Sequence, residues 1–237
     1  MDLFQQQWAT YRAVVQHDLM EHQEVAAATA SAIDRWLAQR PVGAALPRMV
    51  DLGCGDLALL APLLRRLPLA EYTGLDLTGA VLPLAQQALG PVPYPCRWLE
   101  ADLQSWACGA EGDQPGPVDL LHSAFALHHL SDSEKASFLK AARQCISPTG
   151  LFLWVDVFRL PGESREVYLE RYSQRIRGDW TVLSGEQKEQ VLSHISSFDL
   201  PADRASIQAA AEASGWRWQW GWNGLHQAEA LAVLTPV

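Results

Sequence analysis

Positive charge is scarce in this sequence. Lys and Arg number 18 against 27 Asp and Glu, a formal net charge of −9. That balance opposes broad contact with a phosphate backbone, so no nucleic-acid partner is expected. The neighbouring Arg165, Arg171, Arg175 and Arg177 read as one solvated helix face. Cysteine is also sparse, 4 in 237 residues, and no Cys-x-x-Cys pair occurs. A disulfide scaffold is thereby excluded, and free thiols in a reducing compartment are expected. No stretch approaches the ~20 apolar residues of a membrane span. The opening MDLFQQQWATYR has neither a basic nor an apolar leader region. The expected location is therefore cytoplasmic, with no membrane contact. Internal repeats and low-complexity tails are missing too. Charged residues are 19%, below the roughly 25% of an average globular chain, while 49% hydrophobic residues supply a sizeable core.

What the sequence does have is alternation. Residues 3–39 show apolar positions at helical period (Leu19, Met20, Val25, Ile33, Trp36, Leu37) until Pro41 and Gly43 stop them. Short apolar runs then alternate with helical ones. Strands are expected at 48–52, 72–77, 96–100, 118–123 and 151–158, with helices at 57–67, 79–89 and from Ser131 or Ser133 to Cys145. Helices at 163–177, 185–195 and 203–214 precede the last two strands, the tryptophan-rich WRWQWGWN (216–223) and 228–236. Near-continuous apolar strands separated by helices predict an α/β fold whose parallel sheet is covered on both faces. The last two strands are joined by too few residues for a parallel crossover and must pair antiparallel. The expected architecture is five parallel strands plus a C-terminal antiparallel hairpin. Residues 1–40 form an N-terminal helical cover, and 41–237 form the α/β domain with a helical insert at about 160–200, in one structural unit.

The first strand runs into DLGCGD, residues 51–56. Glycines there let the backbone turn sharply and approach a ligand. Gly53 to Ala58 also satisfies G-x-G-x-x-G/A, which keeps an NAD(P)-linked oxidoreductase open. The acids argue otherwise. Asp51 suits a ligand ammonium, and Asp56, read as a helix N-cap, opposes a pyrophosphate. Asp76 ends the second strand, placed for both hydroxyls of a ribose. Asp102 follows the third strand, where an exocyclic amine can be read. A ligand with an ammonium, a ribose and an adenine amine but no phosphate fits S-adenosylmethionine (SAM).

Four motifs in order, MVDLGCGD (49–56), YTGLDLTGAVLPLAQQAL (72–89), LEADL (99–103) and HSAFALHHLSD (122–132), make the chain similar to the class I, Rossmann-like SAM-dependent methyltransferases. The resemblance covers residues 48–158 and extends weakly to the tryptophan hairpin. It implies a small-molecule methyltransferase that releases S-adenosylhomocysteine. By that resemblance Asp51, Gly53 and Gly55 hold the methionine end, and Asp76 the ribose, with Leu77 against the adenine. Asp102 and the Leu103 backbone read the adenine edge, and Ser123 sits near the sulfonium. Many members carry a third glycine where Leu57 stands.

Methyl transfer from a sulfonium needs mainly proximity and orientation, and a base only if the acceptor arrives protonated. His122, His128 and His129 are the candidates, the last two read either as packed architecture or as base or substrate contacts. Asp156, at the end of the fifth strand, is a candidate for facing the acceptor. These groups favour an O or N acceptor. The spacing of His122, His128 and His129 does not predict a metal. On the first helix Trp8, Tyr11, Val15, Asp18 and His22 recur on one helical face. This predicts a lid, with Tyr11 near the cofactor and His22 near the substrate; the alternative is an amphipathic packing helix. Trp216, Trp218, Trp220 and Trp222 alternate and should share one strand face, the first three as core and Trp222 beside the acceptor. A SAM-binding protein without catalysis also stays open.

Overall fold

The computed structural model describes residues 3–109 and 117–237, with side chains from residue 9 onward. Most of the GDQPGP loop, and the Trp8 side chain, lie outside the described residues. The chain opens with two helices, not one: α1 (Leu3–Gln16) and α2 (His22–Gln39). The break lies in HDLME, where Asp18 and Glu21 adopt left-handed φ values of 56° and 57°. Aspartate tolerates this conformation and caps well; Asp18 Oδ1 accepts the Gln23 N–H at 2.9 Å. The helical stripe expected from Trp8 to His22 therefore ends before Asp18.

β1 (Arg48–Leu52) follows, then a run of turns and the short helix α3 (Ala61–Leu64). The expected helix from Leu57 is shorter because Leu57 itself sits at φ 57°. Next come β2 (Glu71–Asp76), α4 (Leu82–Leu89), β3 (Cys96–Glu100), α5 (Leu103–Ala107) and β4 (Val118–Ala124). After a 3-10 turn at Leu127–His129, α6 (Asp132–Cys145) starts on a capping box: Ser131 accepts the Glu134 N–H, and the Glu134 side chain returns to the Ser131 N–H. β5 (Ile146–Arg159), α7 (Arg165–Asp179), α8 (Gly185–Phe198), the two-residue β6 (Ala202–Asp203), α9 (Arg204–Ala213), β7 (Trp216–Asn223) and β8 (Glu229–Pro236) complete the chain.

The sheet runs β3-β2-β1-β4-β5-β8-β7, with β6 beside the end of β5. β1 to β5 are mutually parallel; β8 is antiparallel to both β5 and β7. This is the expected Rossmann-like sheet with its closing hairpin. One face packs Ile33 and Trp36 of α2, Leu64 of α3 and Ala85 of α4 on Met49, Tyr72, Leu120 and Leu153. The other packs Trp106 of α5, Phe138 and Leu139 of α6 and Ile207 of α9 on Phe152, Trp154 and Leu234. Each fully buried large side chain contributes about 1.5–3 kcal/mol. A third cluster joins Val14 of α1 to Tyr168, Tyr172 and Ile176 of α7 and Ile195 of α8.

The tryptophans do not all share a face. A bulge shifts the register between Trp220, opposite Ala232, and Trp222, opposite Leu231. Gly221 permits it, since a Cβ there would stand 2.7 Å from Val233 Cγ2. Trp216, Trp218 and Trp220 join the α6/α9 face, while Trp222 turns to the α2 face beside Leu231 and Val233. The arginine series is corrected as well. Arg175 is bound to the buried Glu229 at 2.7 Å, and Arg171 to Glu163 at 2.9 Å. Arg165 donates to the Asp199 carbonyl at 2.8 Å. Of the four, Arg177 is exposed. No described helix is long and apolar enough to cross a membrane.

Candidate active site

The carboxyl ends of β1, β2 and β4 open into a cleft of about 520 Å³, where ligands bind in open α/β sheets. Tyr11, Asp51, Gly53, Gly55, Asp76, Leu77, Asp102 and Leu103 all line it, as do His22 and His129. The glycine loop is built for close approach. Gly53 has φ 69°, and a Cβ on it would collide with Ala126 Cβ at 2.5 Å. The Gly53 and Cys54 N–H groups both donate to the Leu75 carbonyl, at 2.7 and 2.9 Å. Gly55, at φ 54°, donates to Asp76 Oδ2 at 2.9 Å, while Thr78 N–H donates to Asp76 Oδ1 at 2.8 Å. Each Asp76 oxygen so keeps a lone pair, and two acceptors on one carboxylate match a vicinal diol. Asp56 caps a turn, accepting the Ala58 N–H, rather than a helix. Asp102 is the N-cap of α5, accepting the Ser105 N–H at 2.8 Å.

Asp51 lies at the cleft floor, 2% exposed. His122 Nδ1 stands 2.6 Å from its Oδ1, and Tyr72 donates to its Oδ2 at 3.1 Å. Its carboxylate is thus already engaged by two side chains. Ser123 departs from expectation: fully buried, it donates to the Leu52 carbonyl at 3.0 Å and does not line the cleft.

From above, the Tyr11 hydroxyl reaches over Gly55, 4.0 Å from where a Cβ there would stand. Burial, and then the charges of Asp56 and Asp76, push its phenol up. His22, at the start of α2, reaches the cleft from a different helix than expected. It is 3% exposed, its ring meets Phe125 edge-on, and its Nδ1 has no hydrogen-bond partner among the described residues. Burial lowers its pKa to about 4, against a smaller opposing pull from Asp18.

The expected catalytic group divides. His129 borders the cleft; His128 and Asp156 do not. Asp156 is fully buried, 2.6 Å from His128 Nδ1, and accepts from Trp154 Nε1 and the Val157 N–H at 2.9 Å each. It holds His128 and does not face an acceptor. Burial opposes charge on both partners. Even so, the Asp156 charge and hydrogen bond raise His128, and His128 with the two N–H donors holds Asp156 below the usual carboxylate range. Trp222 also lies outside the cleft, packed on the α2 face. Sequence reading missed Phe125, which enters the cleft wall at φ 52°, and Ala126, whose small side chain is what Gly53 needs beside it. It also missed His194 and Asp199, which approach His128 and His129 from a segment about 70 residues away; no local pattern links them.

Comparison with known proteins bears on the domain and the fold. Residues 50–152 match a family model described as a methyltransferase domain. A trans-aconitate 2-methyltransferase from Azoarcus sp. is 35% identical over 44% of this chain and 36% of its own length. One from Acidovorax sp. is 27% identical over 66% of this chain and 56% of its own length. The chain thus spans about a third to just over half of these relatives. Among solved structures, magnesium protoporphyrin IX methyltransferase from Synechocystis, with bound S-adenosylhomocysteine, superposes with a TM-score of 0.61. It is 15% identical, covering 98% of this chain and 93% of that one, a likeness of fold. The domain match, the strand order and the glycine loop beneath Tyr11 together give residues 50–152 the likeness of a methyltransferase domain on a Rossmann-like sheet.

Proposed function

We propose that this chain transfers a methyl group from SAM to a small-molecule acceptor. The observation that carries the reading is Asp76, each of whose oxygens is fixed by one loop N–H and left with a lone pair. The cleft residues fit the cofactor. Gly53 lets Ala126 close against the loop, Gly55 leaves open space beneath the Tyr11 hydroxyl, Leu77 is 71% exposed at the rim, and Asp102 with Leu103 stands beyond it. Asp76 would hold the ribose, Leu77, Asp102 and Leu103 the adenine, and the loop at Gly53 and Gly55 the methionine end. When bound, SAM supplies an electrophilic methyl on a sulfonium. The chain's own part is to position the partners and exclude water.

At the other end His22 presents a buried, unpartnered ring nitrogen, and His129 borders the same space. Burial keeps His22 neutral, so its ring can accept a hydrogen bond from the acceptor's O–H or N–H and orient it, while remaining a weak base. Among the described lining residues there is no Lys or Arg, while Asp51, Asp56, Asp76 and Asp102 are all present. This cleft therefore favours a neutral or cationic acceptor over a polycarboxylate. The same four acids disfavour a dinucleotide pyrophosphate.

Calorimetry with SAM, S-adenosylhomocysteine and NADH, on wild type and Asp76→Ala, tests the reading. Micromolar binding of the adenosyl ligands, reduced at least tenfold in Asp76→Ala (about 1.4 kcal/mol), is expected. Preference for NADH would point to an oxidoreductase. Adenosyl binding without turnover of any neutral or cationic O–H or N–H acceptor would point to a SAM-binding protein without catalysis.

A further inference from the structure

A second cluster of chemistry-bearing groups stands where the 160–200 segment meets the turn after β4. Asp199 ends α8, its side chain 10% exposed, and its Oδ1 is buried with no hydrogen-bond partner among the described residues. Around that oxygen stand His128 Nε2 at 3.6 Å, His194 Nε2 at 3.6 Å and His129 Nδ1 at 3.9 Å. These separations are too long for hydrogen bonds. They are close to those of ligands sharing one ion: donors ~2.0–2.2 Å from a tetrahedral centre lie about 3.3–3.6 Å apart. The His128 ring is also oriented as a metal-binding histidine is. Its Nδ1 meets Asp156 at 2.6 Å, which aims the Nε2 lone pair at Asp199.

We propose that His128 Nε2, His129 Nδ1 and Asp199 Oδ1 form a binding site for a divalent transition-metal ion of the zinc class, with the His194 ring beside Asp199 at its edge. Two imidazoles and one carboxylate suit zinc and its neighbours and do not suit magnesium or calcium, which take oxygen ligands. Three protein ligands leave the fourth position to water, and the ion's part here is to hold two segments together. It fastens the end of α8 to the Leu127–His129 turn, where a backbone bond from Leu200 N–H to the His128 carbonyl, 2.7 Å, already joins them. His129 Nδ1 also lies 3.4 Å from the Phe198 carbonyl, a long contact that ligation replaces. Because His129 and Leu130 border the cleft, the ion also sets one of its walls.

The test is metal uptake by the full chain, independent of methyl transfer. Chelator-treated protein is titrated with Zn²⁺ by calorimetry and with Co²⁺ by visible absorption. Expected are one ion per chain, the intense bands of four-coordinate cobalt, and a Tm that rises with Zn²⁺. Asp199→Asn and His129→Ala should each weaken uptake at least tenfold. The His129 side chain is 45% exposed, so that variant keeps its fold. Folded wild-type protein that takes up no Zn²⁺, or uptake undiminished in either variant, overturns the site; the cluster is then a protonated His128 held between two carboxylates.

Discussion

At the scale of single residues, two side chains hold positions that ordinary preference opposes. Leu57 is 3% exposed at φ 57°, in the place where related loops carry glycine. The left-handed conformation costs a leucine about 1–2 kcal/mol, and burying its side chain returns about 2 kcal/mol. The two nearly cancel, which is how this loop closes without its third glycine. His22 is the other. Its folded pKa is near 4 against an ordinary 6.5. The fold thus favours the neutral ring, and this contribution is full above 6.5 and lost as pH falls toward 4. Between about pH 7 and pH 5 the loss should be about 2 kcal/mol. Urea denaturation of wild type and His22→Phe across that range measures it. Equal pH dependence in the two proteins would rule out His22 as the buried titrating group.

At the scale of elements, α1 is the piece whose role is most open to test. It lays Tyr11 over the glycine loop, while Thr10 donates to Gln190 of α8 at 2.8 Å. If α1 works as a lid, Tyr11→Ala should raise KM for SAM or acceptor about tenfold, or ~1.4 kcal/mol, with melting temperature little changed. Unaltered kinetics would leave α1 a packing helix. The central strands and their helices were legible because apolar strands and cap signals are local. So was the gathering of Gly53, Gly55, Asp76 and Asp102 at one cleft, since all sit at strand ends the pattern marks. What failed depended on tertiary context. The break at Asp18 hides in a continuous helical period, and the Gly221 bulge reverses a face that strict alternation assigns. The inward turn of Asp156 depends on His128 and Trp154, which only the packed sheet brings to it.

At the scale of the whole molecule, a buried ionic knot joins the two ends of the chain. Glu229 of β8 is fully buried. It accepts from Arg175 of α7 at 2.7 and 2.8 Å and from Tyr172 at 2.8 Å. Arg175 in turn donates to the Leu19 carbonyl at 2.8 Å, between α1 and α2. Removing one charge of such a pair strands the other, so Glu229→Gln should cost about 3–5 kcal/mol. Chemical denaturation reads this directly, and a loss under ~1 kcal/mol would show the knot to be incidental. The hairpin that Glu229 belongs to also ends the sheet. β7 is an edge strand, and an unbroken edge studded with four tryptophans would be a template on which the strands of other molecules could add without limit. The one-residue offset at Gly221 interrupts that template, Trp222 turns beneath α2, and the charged or polar Arg217 and Gln219 face solvent. The bulge that misled the face assignment therefore guards the protein against aggregation.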